Sequence, residues 1–202
     1  MERDYFVHPN ALVESDDIGN KTRIWAFAHV LKNVSIGEDC NLCDYVFVES
    51  GVKIGNRVTI KNGISLWEGL EVEDDVFLGP NAAFTNDMFP RSKRHTGNYL
   101  KTLLKQGASV GANATVLCGI TLGKYCLIGA GSVVTRSVPD FALVTGNPAK
   151  FRYWVAKTGE KLNFSSDKAS DSDGNNYIFI PDSEFGTVKE LKIDNLTNST
   201  QD

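Results

Sequence analysis

Ile36-Gly37-Glu38-Asp39-Cys40 and, eighteen residues later, Ile54-Gly55-Asn56-Arg57-Val58 are two turns of one pattern. A bulky apolar residue returns at every sixth position: Leu12, Ile18, Ile24, Val30, Ile36, Leu42, Val48, Ile54, Ile60, Leu66, Val72, Leu78 and Phe84. The position four further on is apolar or small from Thr22 to Ala82, as at Cys40 and Val58. A helix repeats at 3.6 residues and a strand at 2, so a strict period of six means one small unit stacked on itself. Each hexad reads as a short strand and a turn. Three hexads close a triangular coil of about 18 residues, and successive coils pair through parallel backbone hydrogen bonds. The period leaves the hand of the coil open.

The repeat resumes at Val110, Val116, Leu122, Ile128 and Val134, out of phase with Phe84. A loop excursion is therefore expected at 85–109, inside a β-helix domain of residues 1–148. Pro139, Gly146 and Pro148 end the repeats. Residues 149–164, with Tyr153, Trp154 and Val155 among charged residues, suit a short capping helix, because a repeat array needs its open end covered. Residues 165–202 read as a polar linker over 165–176 and a small tail, with a hairpin of Tyr177–Ile180 and Thr187–Ile193.

The 202 residues are 42% hydrophobic, enough to fill a long narrow core. No stretch approaches a membrane span, so no membrane association is expected. Met1-Glu2-Arg3-Asp4 leads straight into polar sequence, so no signal peptide is expected and the location is expected to be cytoplasmic. Cys40 and Cys126 occupy inward positions, Cys43 and Cys118 turn positions, and the single CxxC has no second pair to make a zinc site. The net charge of −4 argues against nucleic acid. No Asp or Glu occurs between Met88 and Pro139, where Arg91, Lys93, Arg94, Lys101, Lys105, Lys124 and Arg136 stand. An acid-free basic segment in an acidic chain is a candidate landing site for a polyanionic small molecule.

Four segments sharpen the reading: Ile24-Trp25-Ala26-Phe27-Ala28-His29-Val30; Gly79-Pro80-Asn81-Ala82-Ala83-Phe84-Thr85-Asn86 followed by Pro90-Arg91-Ser92; Gly107 to Thr115; and Val144-Thr145-Gly146-Asn147-Pro148-Ala149-Lys150. Together they resemble the hexapeptide-repeat acyltransferases, and within them the enzymes that N-acetylate the 3-amino group of nucleotide-linked sugars. The resemblance covers residues 6–162. It implies a left-handed parallel β-helix, acetyl-CoA as donor, a homotrimer with active sites in clefts between subunits, and a place in surface polysaccharide (O-antigen) biosynthesis. It favours a dTDP-3-amino-3,6-dideoxyhexose as acceptor, with UDP-2-acetamido-3-amino-2,3-dideoxy-glucuronic acid as the alternative. A cleft between subunits is physically sensible, because a coil stack fills its own interior and has no pocket.

Attack of a sugar amine on a thioester needs an unprotonated amine, a donor for the developing oxyanion and a thiolate leaving group. Asn86, matching the family's Asn beside the reacting amine, is the candidate to orient the amine lone pair. His29, the only histidine within the repeats, is the candidate general base. Small residues that let pantetheine approach the backbone mark the acetyl-CoA path, Gly111, Ala112, Ala130 and Gly131, with Lys150 and Arg152 for its phosphates. Asp44, Glu49, Lys61, Asn62, Trp67 and Glu68, with Arg91, are the candidates for the sugar nucleotide, Trp67 offering a flat ring. Relatives carry Gln-Asn-Asn where this chain has Lys61-Asn62-Gly63, and Tyr in place of Trp67. No metal is expected: a zinc enzyme on this coil needs three histidine ligands, and His8, His29 and His95 are far apart in sequence. An ice-binding or structural solenoid needs a regular Thr face, which is missing here. A serine or maltose acetyltransferase shares the coil without the Phe84-Thr85-Asn86 and Pro90-Arg91-Ser92 segments.

Overall fold

In the computed structural model, which describes residues 4–94, 97, 99–183 and 186–191, the chain is an all-β left-handed parallel β-helix of about eight coils. Its three faces are ladders of strands of two to four residues. The first face climbs from Phe6–Val7 through Arg23–Ile24, Asn41–Leu42, Thr59–Ile60, Phe77–Leu78, Ser109–Val110 and Leu127–Ile128 to Ala142–Thr145. The second carries Leu12–Val13, His29–Val30, Phe47–Val48 and Ser65–Leu66, then Ala83–Phe84, Thr115–Val116 and Val133–Val134. The third runs from Ser35–Ile36 to Thr121–Leu122. Coils are numbered from the one that opens with Phe6–Val7, and each corner takes the number of the face it follows.

The hexad positions from Ile24 to Phe84 and from Leu104 to Val134 are buried, as are the fourth-position residues from Thr22 to Ala82. Between them, most corners hold one residue in the left-handed region, among them Phe27, Asn33, Asp39, Tyr45, Arg57, Asp75 and Asn81. The glycines at the second hexad position answer a different need. A Cβ on Gly55 would stand 2.8 Å from the backbone nitrogen of Asp74, and one on Gly111 2.5 Å from that of Ala130. They are glycine because the next coil passes too close for a side chain.

Several expectations need correction. Leu12 points outward and is exposed: the first coil is one residue short, pairing Leu12 with His29 and Val13 with Val30, so the slip turns Leu12 out of the core. The excursion is shorter than 85–109, because Thr102–Leu104 already stacks on Leu70–Val72 and Leu104 is fully buried. Val72 pairs with Ile54, eighteen residues back, and with Leu104, thirty-two ahead; the surplus of fourteen is the excursion. Cys118 does lie on a turn, and it is buried there, with its N–H donating to Thr85 Oγ1 beneath the excursion.

Residues 149–164 hold no helix. Lys150–Trp154 is a strand antiparallel to Ala142–Thr145. The last coil leaves a backbone edge as well as an apolar end, and only a strand pairs that edge. The polar stretch 165–176 contains the strand Lys168–Ser170, and the hairpin forms as Asn176–Ile180 with Thr187–Leu191; Ile193 is outside the described residues. This tail sheet shares in capping the coils: Tyr177 is fully buried, edge-on to Phe141, and donates its hydroxyl to Asp171 Oδ2 at 2.6 Å.

Candidate functional site

The three corners of the prism differ in how their polar groups are spent. On the third corner they bind one another. Arg57 donates to Asp75 at 2.6 and 3.0 Å and to Asp74 at 3.3 Å, Asn56 donates to Asp74 through backbone and side chain, and the Gln106 N–H donates to Glu73. The Asn56 backbone N–H holds the Asp74 carboxyl below its ordinary range, and the Arg57 guanidinium does the same for Asp75. A corner saturated in this way has little left for a ligand.

The first corner is different. Asp44 on coil 3 and Lys61 and Asn62 on coil 4 have side chains with no hydrogen-bond or ion-pair partner among the described residues. Their backbones alone are tied: the Gly63 N–H donates to Asp44 O, and the Asn81 N–H to Asn62 O. The same column continues with Gly79-Pro80-Asn81 on coil 5, Gly111 and Ala112 on coil 6, and Ala130 and Gly131 on coil 7, stacked by the pairing of Phe77–Leu78 with Ser109–Val110 and of Ser109–Val110 with Leu127–Ile128. Gly111 and Gly131 spend their N–H groups on Ile128 O and Ala112 O. The N–H groups of Ala112 and Ala130 make no bond to the described residues, which leaves those two of the four as donors.

The second face and second corner gather the aromatic candidates. His29 Nε2 lies 2.9 Å from Glu14 Oε1, a partner that nothing in the repeat pattern announces, and its ring meets Phe47 edge-on at 5.6 Å. Phe47 in turn packs at 5.5 Å on Trp67, so part of the Trp67 ring is already engaged. Glu49 accepts the N–H of Glu68 at 2.8 Å. Asn86 stands one coil above Glu68 in the same column, half-buried; its carbonyl accepts the N–H of Leu100, where the excursion returns, and its side-chain amide has no partner among the described residues. Ser65–Leu66 and Ala83–Phe84, consecutive on this face, are not paired, so the ladder splits beside Asn86. Asn86 and His29 are not brought together. Three coils at about 4.8 Å each separate them by about 14 Å.

The excursion projects Met88 and Phe89 into solvent, Phe89 with 81% of its surface free. Arg91 is exposed there and donates to the Pro90 carbonyl at 2.9 Å. At the C-terminal end a groove of about 410 Å³ is lined by Val134, Arg136, Ser137, Pro139, Lys150 and Phe151 among others. Arg152 stands beside it, its Nε donating to Thr145 Oγ1 at 2.6 Å. Arg136 is thus the cation that joins Lys150, and its place in the acid-free segment is the only sequence signal for it. The rest of that segment does not form one surface: Arg91, Lys93 and Arg94 ride on the excursion, while Lys105 and Lys124 occupy the third corner. Burial pushes the Cys126 thiol up to about 12 and raises that of Cys40, which leaves both inert at neutral pH. His8 Nδ1 accepts the Asn10 N–H at 3.1 Å, His95 is outside the described residues, and no group of three metal-ligating side chains occurs among the described residues.

Residues 101–136 match the bacterial transferase hexapeptide family (six repeats), and residues 33–67 the hexapeptide repeat of succinyl-transferase. Over 188 residues the chain is 52% identical to the dTDP-3-amino-3,6-dideoxy-alpha-D-galactopyranose 3-N-acetyltransferase of Aneurinibacillus thermoaerophilus, covering 93% of this chain and 96% of that enzyme. It is 30% identical over 166 residues to the bifunctional protein GlmU of Thermotoga maritima, 75% of this chain but 36% of that longer protein. A mutant of AntD, an N-acyltransferase from Bacillus cereus solved with dTDP and Coenzyme A, aligns with a TM-score of 0.54 at 18% identity, over 74% of this chain and 80% of that one. The UDP-N-acetylglucosamine acyltransferase of Campylobacter jejuni aligns at 0.52 with 19% identity, over 75% and 69%. These two likenesses establish the fold.

Proposed function

The chain belongs to the hexapeptide-repeat acyltransferases that N-acetylate nucleotide-linked amino sugars, and from that membership we propose that it moves the acetyl group of acetyl-CoA to the 3-amino group of a dTDP-linked 3-amino-3,6-dideoxyhexose. Its setting is the cytoplasm, where the donor is made, and its product serves surface polysaccharide synthesis. The observation that carries the reading is the order of residues along the first corner. Asp44, Lys61 and Asn62 on coils 3 and 4 offer polar contacts to the sugar nucleotide. Ala112 and Ala130 on coils 6 and 7 offer backbone donors and lead to the Arg136, Lys150 and Arg152 end for the CoA phosphates. The two ligands meet at coil 5, the coil whose second corner bears Asn86.

Within one chain the first and second corners are about five residues, roughly 16 Å, apart across the second face. Ligands lying along the first corner therefore meet the Asn86 amide of a neighbouring chain, which supports a homotrimer with shared clefts. In that cleft the Asn86 side-chain oxygen accepts a hydrogen bond from the neutral amine and aims its lone pair at the thioester carbonyl carbon. The C–N bond forms, the oxyanion takes a backbone N–H of Ala112 or Ala130, the C–S bond breaks, and the amine proton passes to the departing thiolate.

The test is a thiol-release assay with acetyl-CoA and a panel of dTDP- and UDP-linked 3-amino sugars, with serine and maltose as controls. Acetylation of a dTDP-3-amino-3,6-dideoxyhexose in preference to the UDP-glucuronic acid derivative is expected. Turnover of serine or maltose with no turnover of any amino sugar overturns the proposal.

A further inference from the structure

Two stacks of aromatic rings stand on corners of the prism at left-handed backbone positions. Near the C-terminal end Tyr125 (φ 52°) and Phe141 (φ 62°) stack at 5.5 Å with 15° between planes. The chain covers that stack itself: Tyr177 lies edge-on to Phe141, and Lys157 Nζ sits 5.2 Å from the Tyr125 ring centre. On the first corner Phe27 (φ 60°) and Tyr45 (φ 61°) stack at 5.1 Å with 16° between planes. They remain 53% and 63% exposed. Left-handed backbone recurs at the corners of this coil, but a bulky aromatic residue there is uncommon and costs stability, which a packed ring offsets. In the first stack burial of the rings offsets the strain; in the second, the described residues provide no cover.

Above Tyr45 the corner is notched. The next residue in the column is Gly63 (φ 73°), which has no side chain, and beyond it comes Asn81. The Asn81 Oδ1 stands 2.5 Å from where a Cβ on Gly63 would be. A flat ring laid on Tyr45 at the level of Gly63 therefore has an aromatic face beneath it and a carboxamide at its upper edge. Asp44, Lys61 and Asn62 flank the same place with unspent side chains, in contrast to the mutually bonded third corner.

We propose that the Phe27–Tyr45 stack is the platform for the pyrimidine base of the sugar nucleotide, with the base lying on Tyr45 in the Gly63 notch and its polar edge facing Asn81 and Asn62. The proposal rests on the function proposed above and gives the base a seat distinct from Trp67, whose ring already packs on Phe47. Tyr45, on coil 3, is two coils below the level of Asn86, about 10 Å along the axis. That interval leaves the diphosphate beside Lys61 and brings the sugar to coil 5.

Tyr45→Asn, alone and with Phe27→Asn, tests it, because Asn tolerates left-handed backbone and both variants should fold. Base stacking on an aromatic ring leads us to expect a rise of about tenfold or more in KM for the dTDP-amino sugar and in the inhibition constant of dTDP, with KM for acetyl-CoA unchanged. Unaltered values for both overturn the platform. So does loss of the native oligomer in the variants, which makes the stack an interface between copies. Should the wild-type protein acetylate no nucleotide sugar, the proposed function fails on its own. Titration of dTDP alone then still judges the platform: weaker dTDP binding to Tyr45→Asn than to wild type upholds it, and equal binding or none rejects it.

Discussion

At the residue scale the two candidates, Asn86 and His29, are held about 14 Å apart within one chain by the coil stack. The Asn86 carbonyl anchors the return of the excursion, while its side-chain amide has no partner among the described residues. His29 is tied to Glu14 and packed against Phe47. Asn86→Ala should lower kcat/KM on the order of 10²-fold through lost positioning, measured by steady-state kinetics. His29→Ala should cost much less and leave the acidic limb of the pH profile in place; a required base would instead show a loss of about 10² to 10⁴-fold with that limb altered. The place of Asn86 at the start of the excursion was legible in the sequence because it follows the last hexad of a repeat block. Glu14 was not, because a pairing fifteen residues apart in a shortened first coil matches no repeat position.

At the scale of the coil, one rung is a strand of two residues, and its stability rests on close approach of the next rung. Gly55→Ala, which places a Cβ 2.8 Å from the Asp74 nitrogen, should destabilise by about 1–3 kcal/mol. In a chain of this size that lowers Tm by roughly 2–12 °C in a thermal melt. The third corner adds a pH dependence. Asp74 and Asp75 have folded pKa values below their ordinary ones, so their contribution is present above about pH 4 and is lost as pH falls through the lowered values. Arg57→Gln should therefore show a smaller fall in Tm between about pH 5 and pH 3 than the wild-type protein does. The hexad period identifies the buried position of nearly every rung. It misplaces Leu12, because a one-residue deletion in a coil exchanges inside for outside without disturbing the apolar count.

At the scale of the whole molecule, the proposed homotrimer makes each cleft from the first corner of one copy and the second corner of another. Static light scattering should give three times the mass of one chain, and a result at one chain mass rejects the shared cleft. By itself the sequence determined the six-residue coil, its core, the presence of an excursion and the family, since burial every sixth residue and a break in phase are statements about order along the chain. The hand came from resemblance. Only the tertiary structure decided what fills the ends and which polar residues are spent. Lys150–Trp154 forms a strand because the last rung presents an unpaired edge, and the tail sheet covers Phe141 because Tyr177 reaches it. The Phe27–Tyr45 stack, the N–H groups of Ala112 and Ala130 that bond to none of the described residues, and the saturation of the third corner depend on neighbours seventeen or more residues away. A local pattern carries no record of such contacts, which arise only when coils stack.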